Sequence, residues 1–213
     1  MKNLRAKSEG QKTYLQAIKE NKIIFCIGPA GSGKTAISTR FAINEFLQQK
    51  YERIIITRPQ VQAGEITGFL PGDINNKMDP FVRPIYDELK VYIDCKQLKN
   101  YIETGLIEIV PFAFMRGRNF HNCFIIADES QNATYEQLKM LLTRFGYNSK
   151  MIINGDVTQS DIPRSQRGAL SRYAESLSHV ENIKTIYLTN QDIVREPIVS
   201  NILDVLDNLP PLS

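Results

Sequence analysis

The run Gly28-Pro29-Ala30-Gly31-Ser32-Gly33-Lys34-Thr35 carries the most specific chemistry in this sequence. Phosphate groups are held best by many inward-pointing backbone N–H groups, so a loop that binds them must turn tightly and carry small side chains. Gly28, Gly31 and Gly33 permit such a turn, and Pro29, Ala30 and Ser32 add no bulk between them. Lys34 would reach the β- and γ-phosphates and Thr35 would offer a hydroxyl to Mg²⁺. The run lies between an apolar strand-like segment, Lys22 to Ile27, and an amphipathic helical pattern whose positive N-terminal end would face the charge.

The second half of such a site, an acidic residue, is expected at the end of another buried strand, and Cys123-Phe124-Ile125-Ile126-Ala127-Asp128-Glu129 supplies it. Asp128 is predicted to hold Mg²⁺ through water. Glu129 is predicted to act as the general base that polarises an attacking water, so the pair points to hydrolysis rather than nucleotide storage. A third strand ends in Asn154-Gly155-Asp156-Val157-Thr158-Gln159, where Gln159 is the candidate sensor of the γ-phosphate; spacing alone also allows a plain polar turn there.

These residues need a scaffold, and the chain shows one. Ile- and Val-rich runs recur at 22–27, 53–57, 106–112, 123–128, 150–154 and 183–189, mostly continuous rather than alternating, which suits strands covered on both faces. Helical stripes separate several of them: Ala36, Ile37, Phe41, Ile43, Phe46 and Leu47 make one, and Leu138, Leu141, Leu142 and Phe145 another. The expected fold is α/β, with a mainly parallel sheet and helices on both faces. The stretch from Arg58 to Gly105 is less regular, with Pro59, Gly64, Gly68, Pro71, Gly72, Pro80 and Pro84 predicted to break any single helix. An excursion of that length at a strand end suits a binding surface.

At 213 residues with 42% hydrophobic composition, one domain spanning 1–213 can bury a sizeable core. A net charge of +3 permits a nucleic-acid partner without requiring one. Cys26, Cys95 and Cys123 share no metal-ligand spacing, and His121 and His179 are too scattered for a zinc site, so a reducing cytoplasmic setting is expected. No apolar run reaches membrane-span length, and the polar start lacks a signal-peptide core.

In order and spacing, these pieces resemble the PhoH family of ATPases, related to the first RecA-like domain of superfamily 1 helicases. The resemblance covers nearly the whole chain and includes Thr57-Arg58-Pro59, Gly64-Glu65, Gly68 to Asp73, Asp79-Pro80-Phe81, Arg83-Pro84, Met115 to Arg118, Asp128 to Asn132, Gly155 to Gln159 and Asp192 to Arg195. It implies a single RecA-like P-loop domain that uses ATP and Mg²⁺. It also implies that Gln11, ahead of the first strand, recognises adenine, while Tyr14 either stacks on the base or packs into the core. Two positions depart from the family pattern: Glu196, where histidine is usual and where a carboxylate could hold Arg195 back, and Ser130, where alanine is usual.

Phosphoryl transfer is accelerated by an arginine that meets the charge building on the γ-phosphate. With no room for a second RecA-like domain, that arginine must come from elsewhere in the fold or from a neighbouring subunit. Arg195, Arg167 and Arg116 are the candidates, each of which would otherwise be a surface charge. The resemblance implies a homo-oligomer, a hexameric ring with sites at its subunit interfaces. Two uses of ATP follow. One is an RNA- or single-strand-directed motor, with Arg58, Arg83, Arg116 and Arg118 beside Phe69, Phe81 and Phe114 as a basic, aromatic surface. The other is an ATP-dependent switch or assembly factor acting on a protein partner. A small-molecule kinase is the weaker reading, since Asp128 and Glu129 favour water as acceptor.

Overall fold

A computed structural model describes residues 5–59, 83–194 and Ile198. The β-branched runs form β1 (Ile23–Ile27), β2 (Arg53–Arg58), β3 (Ile107–Pro111), β4 (Cys123–Ala127), β5 (Lys150–Gly155) and β6 (Ile183–Tyr187). They make one six-stranded sheet in the order β3-β2-β4-β5-β1-β6, and every pairing is parallel. Alternate strand residues enter opposite cores. Ile24, Cys26, Ile54, Ile56, Phe124, Ile126 and Ile152 pack on one face, while Phe25, Ile27, Ile55, Cys123, Ile125, Met151 and Ile153 pack on the other. Burial on both faces is why these strands read as continuous apolar runs.

The first face is covered by α1 (Glu9–Glu20), α2 (Lys34–Leu47), α3 (Arg83–Lys90) and α4 (Cys95–Glu103), and the second by α5 (Tyr135–Leu142) and α6 (Ala169–Ser176). Local chemistry starts several of them. The Ser8 hydroxyl accepts from the Gln11 N–H, Asp94 caps α4, and Thr134 with Gln137 forms a capping box on α5. The fold is the expected α/β arrangement, a parallel sheet with helices on both faces.

Pro84 lies in the first turn of α3, where an N–H has no intrahelical partner to lose, and α3 and α4 are separate helices. Two local expectations change. Leu47 ends α2 at 41% exposure instead of joining its buried stripe. Strand β6 stops at Tyr187, because Thr189 caps a short 3₁₀ turn at Asn190–Asp192. The motifs at Gly64-Glu65, Gly68 to Asp73 and Asp79-Pro80-Phe81 lie outside the described residues.

Candidate active site

Parallel strands put their carboxyl ends on one edge, and that edge is where the chemistry gathers. Ile27 pairs with Gly155, Ala127 with Ile153 and Thr57 with Ala127, so Gly28, Asp156, Asp128 and Arg58 all stand at the same level. Strand β5 sits between β1 and β4 and so brings its own polar tail between the phosphate loop and Asp128. The edge opens into a cleft of about 350 Å³ lined by Lys34, Thr35, Arg58, Asp128, Glu129 and Gln159, among others.

The loop is built as an anion cradle. Gly31 and Gly33 have φ of 79° and 87°, a conformation that costs glycine little, and Gly33 opens α2 with no side-chain cap. Gly28 is needed for a different reason than a phosphate turn, because a Cβ there would come within 2.7 Å of the Leu188 Cβ. The Lys34 ammonium donates to the Gly28 and Pro29 carbonyls at 2.7 and 2.8 Å, and the Asp156 carboxylate accepts from the Ala30 N–H at 2.9 Å.

Opposite the loop, Asp128 is 2% exposed and doubly held. Its Oδ1 accepts from the Thr35 hydroxyl at 2.9 Å, and its Oδ2 meets the Arg58 guanidinium at 2.6 Å. A hydroxyl and a carboxylate are the hard oxygen donors that Mg²⁺ takes beside substrate phosphates, so this pair fits that ion. Glu129 follows in the left-handed region, with φ 53° and ψ 34°. Gln131 knits the site together: its amide N–H group donates to Glu129 Oε2 at 2.7 Å and to the Gln159 carbonyl at 3.2 Å, and its Oε1 accepts from the Asp156 N–H at 3.0 Å.

The cleft thus gathers Lys34, Thr35, Asp128, Glu129 and Gln159. Gln11 lies behind the loop and is buried, its side chain donating to the Ser32 and Asp192 carbonyls and accepting from the Lys7 N–H. Tyr14 does not stack on a base. It is buried beneath the loop, where burial raises its pKa well above the ordinary tyrosine value and its hydroxyl donates to Asn154 at 2.9 Å. Arg167 is not in this cleft; its Nε donates to the Ile162 carbonyl, and it lines a separate depression beside Arg172. Arg116 is exposed on another part of the surface. Arg195 and Glu196 lie outside the described residues, although Val194 just before them donates its N–H to the Gly31 carbonyl.

With this geometry, comparison with known proteins is decisive for the family. A family model described as PhoH-like protein matches residues 3–207. A PhoH-like protein of Synechocystis is 46% identical over 96% of this chain, and one of Bacillus subtilis is 44% identical over 97%. The chain belongs to the PhoH family. This PhoH-family chain spans 62% and 65% of the length of those two relatives. Among solved structures, the large terminase of a thermophilic bacteriophage is similar in fold, with a TM-score of 0.58 at 12% identity over 92% of this chain and 49% of that one.

Sequence reasoning misses two residues of the PhoH-family site. It places Arg58 on a nucleic-acid surface, yet the side chain reaches into the cleft, because β2 ends beside β4. Gln131 stands out in the sequence only as part of a motif. The signal available for both is their position at or just beyond the end of an apolar strand. The proposed basic, aromatic surface shrinks accordingly. Arg118 is tied to Glu108 at 2.7 Å and lies over the Phe120 ring, while Phe114, at 65% exposed, and Arg116 remain open. Phe69, Phe81 and the Arg83 side chain fall outside the described residues. No helix among the described residues is long and apolar enough to cross a membrane.

Proposed function

We propose that this PhoH-family chain binds ATP with Mg²⁺ and hydrolyses it to ADP and phosphate, coupling turnover to RNA or single-stranded nucleic acid. The observation that carries the reading is the Thr35–Asp128 contact, which joins the phosphate loop to the acidic strand end with Glu129 alongside. A pure nucleotide-storage role gives no reason for an exposed carboxylate at that point.

The phosphates draw Lys34 from the Gly28 and Pro29 carbonyls, and the loop N–H groups replace lost water contacts. Mg²⁺ held by Thr35 and Asp128 supplies charge neutralisation for the phosphate oxygens. Glu129 takes a proton from water as the water oxygen bonds to the γ-phosphorus. The bond from that phosphorus to the bridging oxygen breaks, and ADP leaves with the electron pair. Gln159, held through its carbonyl by Gln131, reports the γ-phosphate, and Gln11 links nucleotide recognition to the loop through Ser32. Exposed Phe114 and Arg116, in the turn after β3 and outside the cleft, support a stacking, phosphate-tracking surface. A cytoplasmic homo-oligomer, a hexameric ring, completes the proposal; Arg167 and Arg195 are the arginines on offer if the γ-phosphate charge is met from a neighbour.

The test measures phosphate release by the wild type, Lys34→Ala and Glu129→Gln, each with and without single-stranded RNA. Lys34→Ala is expected to lose about 10²-fold or more in turnover and Glu129→Gln about 10²- to 10⁴-fold. RNA is expected to raise wild-type turnover, and the gain should shrink with added salt. Turnover indifferent to RNA but raised by a protein partner would favour the switch or assembly factor.

A further inference from the structure

We infer that Arg58 is an in-chain arginine for the γ-phosphate, parked on Asp128 until nucleotide and cation arrive; this rests on the proposed ATP hydrolysis. Three observations lead there. The guanidinium meets Asp128 Oδ2 at 2.6 Å while the other oxygen of that carboxylate meets Thr35. Arg58 therefore stands one carboxylate away from the residue that follows Lys34. Its side chain is 15% exposed, and it lines the same cleft as Lys34 and Glu129, so its charge faces little competing water. Finally, its backbone is fixed: β2 ends at Arg58 and is paired to β4 through Thr57 and Ala127, with the Asp128 N–H donating to the Thr57 carbonyl at 2.9 Å.

In this arrangement the arginine neutralises the carboxylate that Mg²⁺ would otherwise neutralise. A dication on Asp128 and Thr35 competes with the guanidinium for that carboxylate and repels it. The arginine stays anchored at the cleft floor, where the anion arriving with the cation offers it phosphate oxygens. A planar fork of N–H donors suits phosphate oxygens better than a point charge does. Arg58 makes and breaks no covalent bond. It moves from carboxylate to phosphate and meets the charge that spreads over the γ-oxygens as the bond to ADP lengthens.

This assignment differs from a subunit-supplied arginine, and two measurements on the full chain separate them. The first compares affinity for ADP alone with affinity for ADP plus aluminium fluoride and Mg²⁺, a mimic of the transferring phosphoryl group, in wild type, Arg58→Ala and Arg58→Lys. Arg58→Ala should bind ADP within about threefold of wild type yet lose about 100-fold or more of the gain from aluminium fluoride, and its turnover should fall about 10³-fold. Arg58→Lys keeps a cation beside Asp128 without the planar fork and should restore the gain only in part. A full gain in Arg58→Ala overturns the assignment and leaves Arg58 as a structural partner of Asp128. A wild type with neither turnover nor gain instead overturns the hydrolase reading. The second measurement mixes Arg58→Ala with Glu129→Gln. Both changes damage the same chain's site, so the mixture should show no recovery; activity approaching about a quarter of wild type, the share of interfaces that random subunit exchange would make intact, would mean that Arg58 serves a neighbour.

Discussion

Glu129 shows how much a single backbone angle decides. A non-glycine residue at φ 53° and ψ 34° is uncommon and costs about 1 kcal/mol or more. It persists because its neighbours hold it: the Ser130 hydroxyl donates to the Ala127 carbonyl at 3.1 Å, and Gln131 grips the Glu129 carboxylate. The turn lets Asp128 point to Thr35 while Glu129 is exposed on the cleft. Glycine bears this conformation without a Cβ penalty and alanine does not. Glu129→Gly is therefore expected to be more stable than Glu129→Ala by about 1 kcal/mol, the reverse of their order in helices. Both should have lost turnover. Thermal unfolding of the two variants checks it, and an alanine variant as stable as the glycine one would remove strain from this turn. The pairing of Asp128 with Glu129 was legible in the sequence, whereas the turn that separates their directions was not, because the Gln131 side chain that holds it is itself fixed by the Asp156 N–H just past β5.

At the scale of elements, the docking of α1 is controlled by two buried charged residues. Lys150, at the start of β5, is 8% exposed and sends its ammonium to the Ile18 and Asn21 carbonyls at the C-terminal end of α1. Burial nevertheless pushes its pKa down from 10.5 to about 8. Between those two values the unfolded chain carries a proton that the folded chain has lost, so this group makes stability rise with pH. Lys150→Met lacks that proton. The wild type should therefore gain stability relative to Lys150→Met as pH rises from about 8 to about 10, read from urea unfolding at both values. A constant difference would deny the buried titration. At the other end of α1, Asp192 accepts from the Ser8 hydroxyl at 2.6 Å and from the Gly10 and Thr189 N–H groups. Burial alone would raise its pKa, but these hydrogen bonds outweigh that effect and lower it. Its contribution to stability is thus present at neutral pH and lost as pH falls through the lowered folded value.

For the whole molecule the issue is where the site ends. The phosphate cleft already draws two cations, Lys34 and Arg58, from a single chain. With Arg58 acting within its own chain, turnover per chain should be unchanged on dilution through any dissociation of the assembly. Light scattering in parallel with phosphate release checks this. Turnover that vanishes with the assembly would return the role to a neighbour's Arg167 or Arg195. Because the chain spans 62–65% of the Synechocystis and Bacillus subtilis relatives, those longer proteins are a natural comparison in the same dilution series.

The sequence by itself determined what depends on neighbours along the chain. The phosphate loop, the six apolar runs, the caps of α1 and α5 and the acidic pair after β4 are all short-range patterns, each set by backbone preference or by burial period. Tertiary structure alone decided which strand ends meet. Nothing local places β5 between β1 and β4, and nothing local brings Arg58 to Asp128 across 70 residues. Nor does a surface-looking Gln11 announce that it will be buried against Ser32. Strand order is chosen by the packing of whole helices on two faces of a sheet, a long-range balance that no window of sequence contains.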